Sequence, residues 1–175
     1  MSLINELQKI VGEEWVTDRP EELIIYSKDM TENEPSKPEV VVMPKTTEEV
    51  QKIVKLANEK KIPITPYVAG ANVGGLAIPT KGGILIDLKR MDQILEVDES
   101  NMYAIVEPGV TFGHLKKLLE DDYPQLRYSY PMAPPFTSVV CNALLSGLGN
   151  LSYRYGSMSD MVSGLEVVLP TGEIT

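Results

Sequence analysis

Between Val40 and Thr65 the apolar residues change period twice, and this most restricts the fold. Pro35, Pro38 and Pro44 frame Val40-Val41-Val42-Met43, a run too short for a helix and rich in β-branched residues, which reads as a strand. Thr46 followed three residues later by Glu49 is a capping-box pattern, and Val50, Ile53, Val54 and Ala57 then recur at helical spacing. Ile62-Pro63-Ile64-Thr65 is a second short strand. Strand, helix and strand in that order form a βαβ unit, so the chain enters a small parallel or mixed sheet.

The flanking segments extend this to an α+β fold in two lobes. Upstream, Leu3, Ile4, Leu7, Ile10 and Val11 share one helical face and meet Gly12, a helix stop, giving an amphipathic leader over residues 1–34 ahead of the main domain at 35–175. Downstream, Ile84-Leu85-Ile86-Asp87-Leu88 reads as a strand after a Gly82-Gly83 turn. Ile94 to Val97 and Tyr103 to Val106 read as a hairpin about Asp98-Glu99-Ser100-Asn101, closed by Pro108-Gly109. Thr111 is an N-cap for a helix with Phe112, Leu115, Leu118 and Leu119 inward. Tyr123 to Thr137, with Pro124, Pro131, Pro134 and Pro135, is irregular and wall-forming. A short helix is expected over Asn142–Leu148, and a strand over Leu165–Leu169 that turns at Pro170-Thr171-Gly172. Stopping as a return strand begins suggests a C-terminally incomplete domain.

Composition narrows the function. A chain of 175 residues with 43% hydrophobic content can bury a real core. Its net charge of -9 leaves no basic stripe for a phosphodiester backbone, since Lys52, Lys55, Lys60 and Lys61 cluster on one segment only, and nucleic acid is not an expected partner. An anionic cofactor would therefore be held by backbone N–H groups and helix ends. With the single cysteine Cys141, no signal-like apolar start and no run long enough to span a bilayer, a cytoplasmic protein without a transmembrane segment is expected.

Val68-Ala69-Gly70-Ala71-Asn72-Val73-Gly74-Gly75 lies between two strands and offers successive N–H groups with little side-chain bulk, as a phosphate-cradling nest requires. On spacing alone an ordinary glycine-rich turn fits equally well. The segment matches neither the dinucleotide pattern G-x-G-x-x-G nor the P-loop ending, so another kind of loop is needed.

The order PEVVVMPKTTEEVQKIVKLANEKKIPI, AGANVGGLAIP, GGILIDLKRMDQILEVDESNMYAIVEPGVTFGHL, Tyr155-Gly156 and GLEVVLPTGEI resembles the FAD-linked oxidases of the para-cresol methylhydroxylase type, which include vanillyl-alcohol oxidase, glycolate oxidase and D-lactate dehydrogenase. The likeness runs from Pro38 onward, with IDLKRM to VEPGVTFG closest to the vanillyl-alcohol oxidase and cresol hydroxylase branch. It implies a two-lobed FAD-binding domain in which a small βαβ lobe precedes a mixed or antiparallel sheet lobe. Val68, Ala69, Gly70, Ala71, Asn72 and Gly75 would hold the FAD diphosphate through backbone N–H groups. Pro108, Gly109 and Val110 would pass the adenine and ribose. Pro131, Thr137, Ser138 and Asn142 would reach the diphosphate and flavin ring, with Tyr155 and Gly156 near the flavin and Asp160 anchoring the loop that follows. Substrate domain and acid/base residues would come after position 175, so no catalytic residue is assigned and a small-molecule substrate would bind through that missing domain.

Two departures from the family pattern stand out. Tyr67-Val68 replaces the frequent Arg-Gly, and Val140-Cys141 replaces Gly-Gly; both add bulk close to the cofactor. The loop also lacks the histidine through which some relatives attach flavin, leaving attachment beyond position 175 open. Three readings follow: a fragment of an FAD-dependent oxidoreductase acting on a hydroxylated organic substrate and silent alone; a cofactor-free interaction module that kept the fold; or an FAD-binding subunit completed by a partner chain or by self-association.

Other reactive residues read as structural. His114, early in a helix, is not expected to act as base or ligand. Cys141 reads as a small buried hydrophobe, since nothing nearby in sequence would lower its pKa. Tyr123, Tyr128, Tyr130, Tyr153 and Tyr155 divide evenly between a ring-binding wall and simple packing of the proline-rich loop. No metal-ligand spacing appears.

Overall fold

The computed structural model describes every residue except Met1 and Asn72. It divides into two compact units, one running up to Arg90 and including Glu166–Thr175, the other Met91–Leu165.

The first unit is built on a four-stranded sheet of order β1-β2-β4-β3, comprising β1 (Val16–Thr17), β2 (Val40–Val42), β3 (Ile64–Tyr67) and β4 (Ile84–Asp87). β2, β4 and β3 run parallel, while β1 pairs antiparallel with β2 at the edge. Parallel strands need cover on both faces. On one face Val40, Val42, Ile84 and Ile86 pack with Leu7 and Val11 of α1 (Leu3–Val11) and with Ile53 and Ala57 of α3 (Thr47–Lys60). On the other, Val41 and Leu85 pack with Leu23 of α2 (Pro20–Leu23), with Tyr26 and with Tyr67. Ile53 is fully buried, so truncating it to Ala would cost about 2–5 kcal/mol.

Local chemistry places the boundaries. Ser2 accepts from the Asn5 N–H to start α1, and Gly12, at φ +98°, ends it. Thr46 caps α3 by accepting from the Glu49 N–H, as its spacing predicts, but the Glu49 carboxylate reaches back to the Lys45 N–H rather than closing the reciprocal box. The second strand lies two residues further on than Ile62–Thr65: the Ile62 N–H still bonds Ala57 at the end of α3, so pairing begins at Ile64.

In the second unit β5 (Ile94–Asp98) and β6 (Tyr103–Val106) form the expected hairpin, with an irregularity between Ile94 and Glu96. Ile94, Val97 and Val106 pack against Val110 and against Leu115 and Leu119 of α4 (Phe112–Asp122), which Thr111 caps. The short helix expected over Asn142–Leu148 is instead α5 (Val139–Leu144). The Ser138 hydroxyl accepts the Cys141 N–H and starts it early, and Ser146 at φ +52° follows its end. Two elements were not expected: α6 (Ser152–Tyr155) and a 3-10 turn over Met158–Met161.

Leu165–Leu169 does not form a continuous strand. Val168 and Ile174 make an isolated bridge flanked by paired backbone bonds between Val167 and Thr175. The segment docks on α3, where the Gln51 amide donates to the Gly172 carbonyl at 2.7 Å and the Thr47 hydroxyl to Glu166 at 2.9 Å. No helix among the described residues is long and apolar enough to cross a membrane.

Candidate functional site

In the first unit the loop from Val68 to Gly75 leaves the carboxyl end of β3, the end at which parallel α/β sheets bind ligands. Val68 is buried at 6% exposure, so its added bulk faces protein. Gly70 takes φ +63° and Gly75 φ +78°, conformations that favour glycine. A Cβ on Gly70 would collide with the Tyr67 hydroxyl, and one on Gly75 with the Asn33 amide. Among the described residues, the N–H groups of Ala69, Gly70 and Ala71 find no protein acceptor, although all three residues are half-buried. Three consecutive unclaimed donors are what an oxyanion cradle offers. Asn72 lies outside the described residues.

Beneath this loop is a polar cluster that sequence reasoning did not find. Asp87 is fully buried at the end of β4. Its carboxylate accepts from the Tyr26 phenol at 3.0 Å and the Lys89 N–H at 3.0 Å, and pairs with the Lys89 ammonium at 2.9 Å. Tyr26 and Tyr67 meet edge to face with ring centres 5.1 Å apart. Burial, then the Asp87 charge, push both phenols above the ordinary tyrosine range. The available signal was a lone acid closing the apolar strand Ile84-Leu85-Ile86-Asp87.

In the second unit, Pro108, Gly109, Thr137 and Ser138 come together. The Ser138 hydroxyl donates to the Pro108 carbonyl at 2.6 Å while accepting from Cys141, so it is committed within the protein. Gly109 donates to Met91, and Phe112 to the Thr137 carbonyl. By contrast, Thr137 Oγ1 and Asn142 Oδ1 are buried and find no hydrogen-bond partner among the described residues. Such atoms are costly unless something else bonds them. Gly147 leaves room for the Asn142 amide, which a Cβ there would strike.

Pro131 is buried and bridges Gly149. Gly156, at φ +86°, stands against the Asp160 carboxylate, which accepts from the Ser157 N–H at 2.7 Å and the Ser157 hydroxyl at 2.8 Å. Those bonds hold the Asp160 carboxyl below the usual range. Tyr155 is exposed and lies beneath Arg154. The aromatic candidates separate: Tyr128 stacks on Phe112 and leans on Tyr130, Tyr123 joins the core beside α4, and Tyr153 is fully exposed. His114 is exposed on α4, and its N–H bonds the Thr111 cap.

The family model described as "FAD binding domain" matches residues 38–175. The chain belongs to that family. It is 34% identical to the glycolate oxidase subunit GlcD of Bacillus subtilis over 97% of this chain and 36% of the relative. It is likewise 34% identical to the 4-cresol dehydrogenase (hydroxylating) flavoprotein subunit of Pseudomonas putida, over 98% and 33%. The solved structure of p-cresol methylhydroxylase with substrate bound aligns at TM-score 0.86 and 33% identity, covering 98% of this chain and 34% of that one. The chain thus spans about a third of the length of these relatives. These matches bear out the α+β fold of the para-cresol methylhydroxylase type and FAD as the cofactor. The uncommitted loop donors of the first unit suit an anionic diphosphate, and the unpartnered Thr137 and Asn142 oxygens of the second suit a polar ligand.

Proposed function

We propose that this chain supplies the diphosphate-holding part of a flavin-dependent oxidoreductase that acts on a hydroxylated organic substrate, a phenolic alcohol or a 2-hydroxy acid. The carrying observation is the set of unclaimed N–H groups at Ala69, Gly70 and Ala71. In this reading those donors, with Val68, Asn72 and Gly75 completing the loop, bind the FAD diphosphate without needing a lysine or arginine cluster. Pro108 and Gly109 border the adenosine, and Thr137, Asn142, Pro131, Tyr155 and Gly156 border the rest of the cofactor, with Ser138 holding that loop in place. Bound FAD would supply the two-electron acceptor.

The groups described here bind and orient, and none is assigned as the base that takes the substrate proton. His114 and Cys141 remain structural in this reading: the first is exposed and bonded to its helix cap, and burial pushes the second's thiol up. The chain alone is therefore catalytically silent, and further polypeptide supplies the substrate-binding part. Leu95, Ile105, Leu144, Leu145 and Leu148 are each 46–61% exposed in the second unit, which favours completion by more protein, in the same chain or a partner. A cytoplasmic location belongs to the same reading.

The test is the visible absorption spectrum of the purified chain before and after FAD addition, with desalting between. Flavin bands that survive desalting are expected. A colourless chain, together with a colourless longer parent, would leave the cofactor-free interaction module as the better account.

A further inference from the structure

The loop is backed by side chains from segments that precede it, and their arrangement is more specific than packing requires. Tyr67 ends β3, in register with Asp87 on β4, so the two side chains share a sheet face with Tyr26. The Tyr67 ring is fixed edge to face by Tyr26, itself tied to Asp87. Its hydroxyl then occupies the space that a Cβ on Gly70 would need. At the far end of the loop, Asn33 does the same beneath Gly75, and its own amide is fixed by a 2.9 Å bond to Thr31, whose hydroxyl bonds Asp29.

A left-handed turn is entropically costly for glycine to hold, since an unsupported glycine samples many conformations. Donors that must all meet one anion lose affinity if the turn between them is loose. A carboxylate buried close below an anion site would also repel the anion. Lys89, paired with Asp87 at 2.9 Å and 5.9 Å from the Tyr67 ring centre, offsets that charge.

We propose that Tyr67, braced by Tyr26 and the Asp87–Lys89 pair, is a positioning residue that holds the Gly70 turn of the loop in its ligand-ready shape before any cofactor arrives. The ligand named is the FAD diphosphate, and that clause rests on the reading above. Tyr67 thus contributes no charge of its own to the anion and acts by preorganising the backbone donors.

The test combines amide hydrogen exchange on the ligand-free chain with FAD titration of the same protein. Tyr67→Phe keeps the ring and its contact with Tyr26 but removes the hydroxyl. Exchange across residues 68–76 should rise by about tenfold, while α3 and β4 stay at wild-type rates and the thermal midpoint stays close to wild type. FAD affinity should fall by a similar factor. Gly70→Ala should damage the loop more in the wild-type background than in Tyr67→Phe, because part of its clash is with the missing oxygen. Loop exchange unchanged in Tyr67→Phe, or raised equally in α3 and β4, overturns the positioning role whatever the flavin does. Wild-type protein that retains no FAD, with loop exchange responding as described, would sink the cofactor reading and leave the loop's brace standing.

Discussion

The phenol of Tyr26 donates to the Asp87 carboxylate at 3.0 Å, joining a residue near the N-terminus to the end of an interior strand. Both groups are buried, at 6% and 0% exposure. Tyr26→Phe leaves the carboxylate with Lys89 alone and should lower stability by about 1.5–3 kcal/mol, the range for a hydrogen bond to a charged group, as read by urea denaturation.

The same bond predicts a pH dependence. Burial first, and Asp87 second, hold the Tyr26 proton more tightly in the folded state than in the unfolded chain. A raised folded pKa means that its contribution is complete below the ordinary phenol range of about 10 and is lost as pH rises beyond it. Wild-type stability should therefore fall more steeply above pH ~10 than that of Tyr26→Phe.

Asp160 should titrate in the opposite sense. Its carboxyl is held low by bonds from Ser157, so the turn at Gly156 should persist as pH falls through the usual carboxylate range and loosen only below it. The Ser157 amide resonance, followed by NMR from neutral to acid pH, should report a midpoint below that of an unperturbed aspartate. Asp160→Asn should abolish that titration.

Gly147→Ala tests the second unit. A Cβ there would strike the Asn142 side-chain amide and push it aside. FAD retained after desalting should drop, with a loss of stability of about 1–3 kcal/mol from the overpacked contact. Retention equal to wild type would remove Asn142 from the cofactor's surroundings.

Cys141 should react slowly. Burial raises its thiol pKa, only partly opposed by the neighbouring Ser138 side chain. Labelling with a thiol-specific disulfide reagent should lag behind a free cysteine near neutral pH and accelerate only as pH passes the ordinary thiol range.

Helix starts were legible wherever one side chain decides them. Thr46 and Thr111 cap the helices their spacing predicts, and Gly12 ends the first. α5 was misplaced because Val139-Val140-Cys141 reads as unhelical and its Ser138 cap follows a proline-rich loop that carries no period. In the loop of the first unit, the glycines at 70 and 75 were legible as turn positions. Their partners were not: Tyr67 and Asn33 act through contacts that no local pattern encodes. Asp87 hid inside an apolar strand, and the residues that satisfy it come from distant segments.

The docking of Glu166–Thr175 on α3 makes the first unit discontinuous along the chain. A ribosome must therefore synthesise all of Met91–Leu165 before the segment whose Gly172 carbonyl accepts from Gln51 exists. Until then the α3 surface beside Thr47 and Gln51 lacks its covering hairpin, so during translation the second unit has the chance to fold while the first still waits for its last strip.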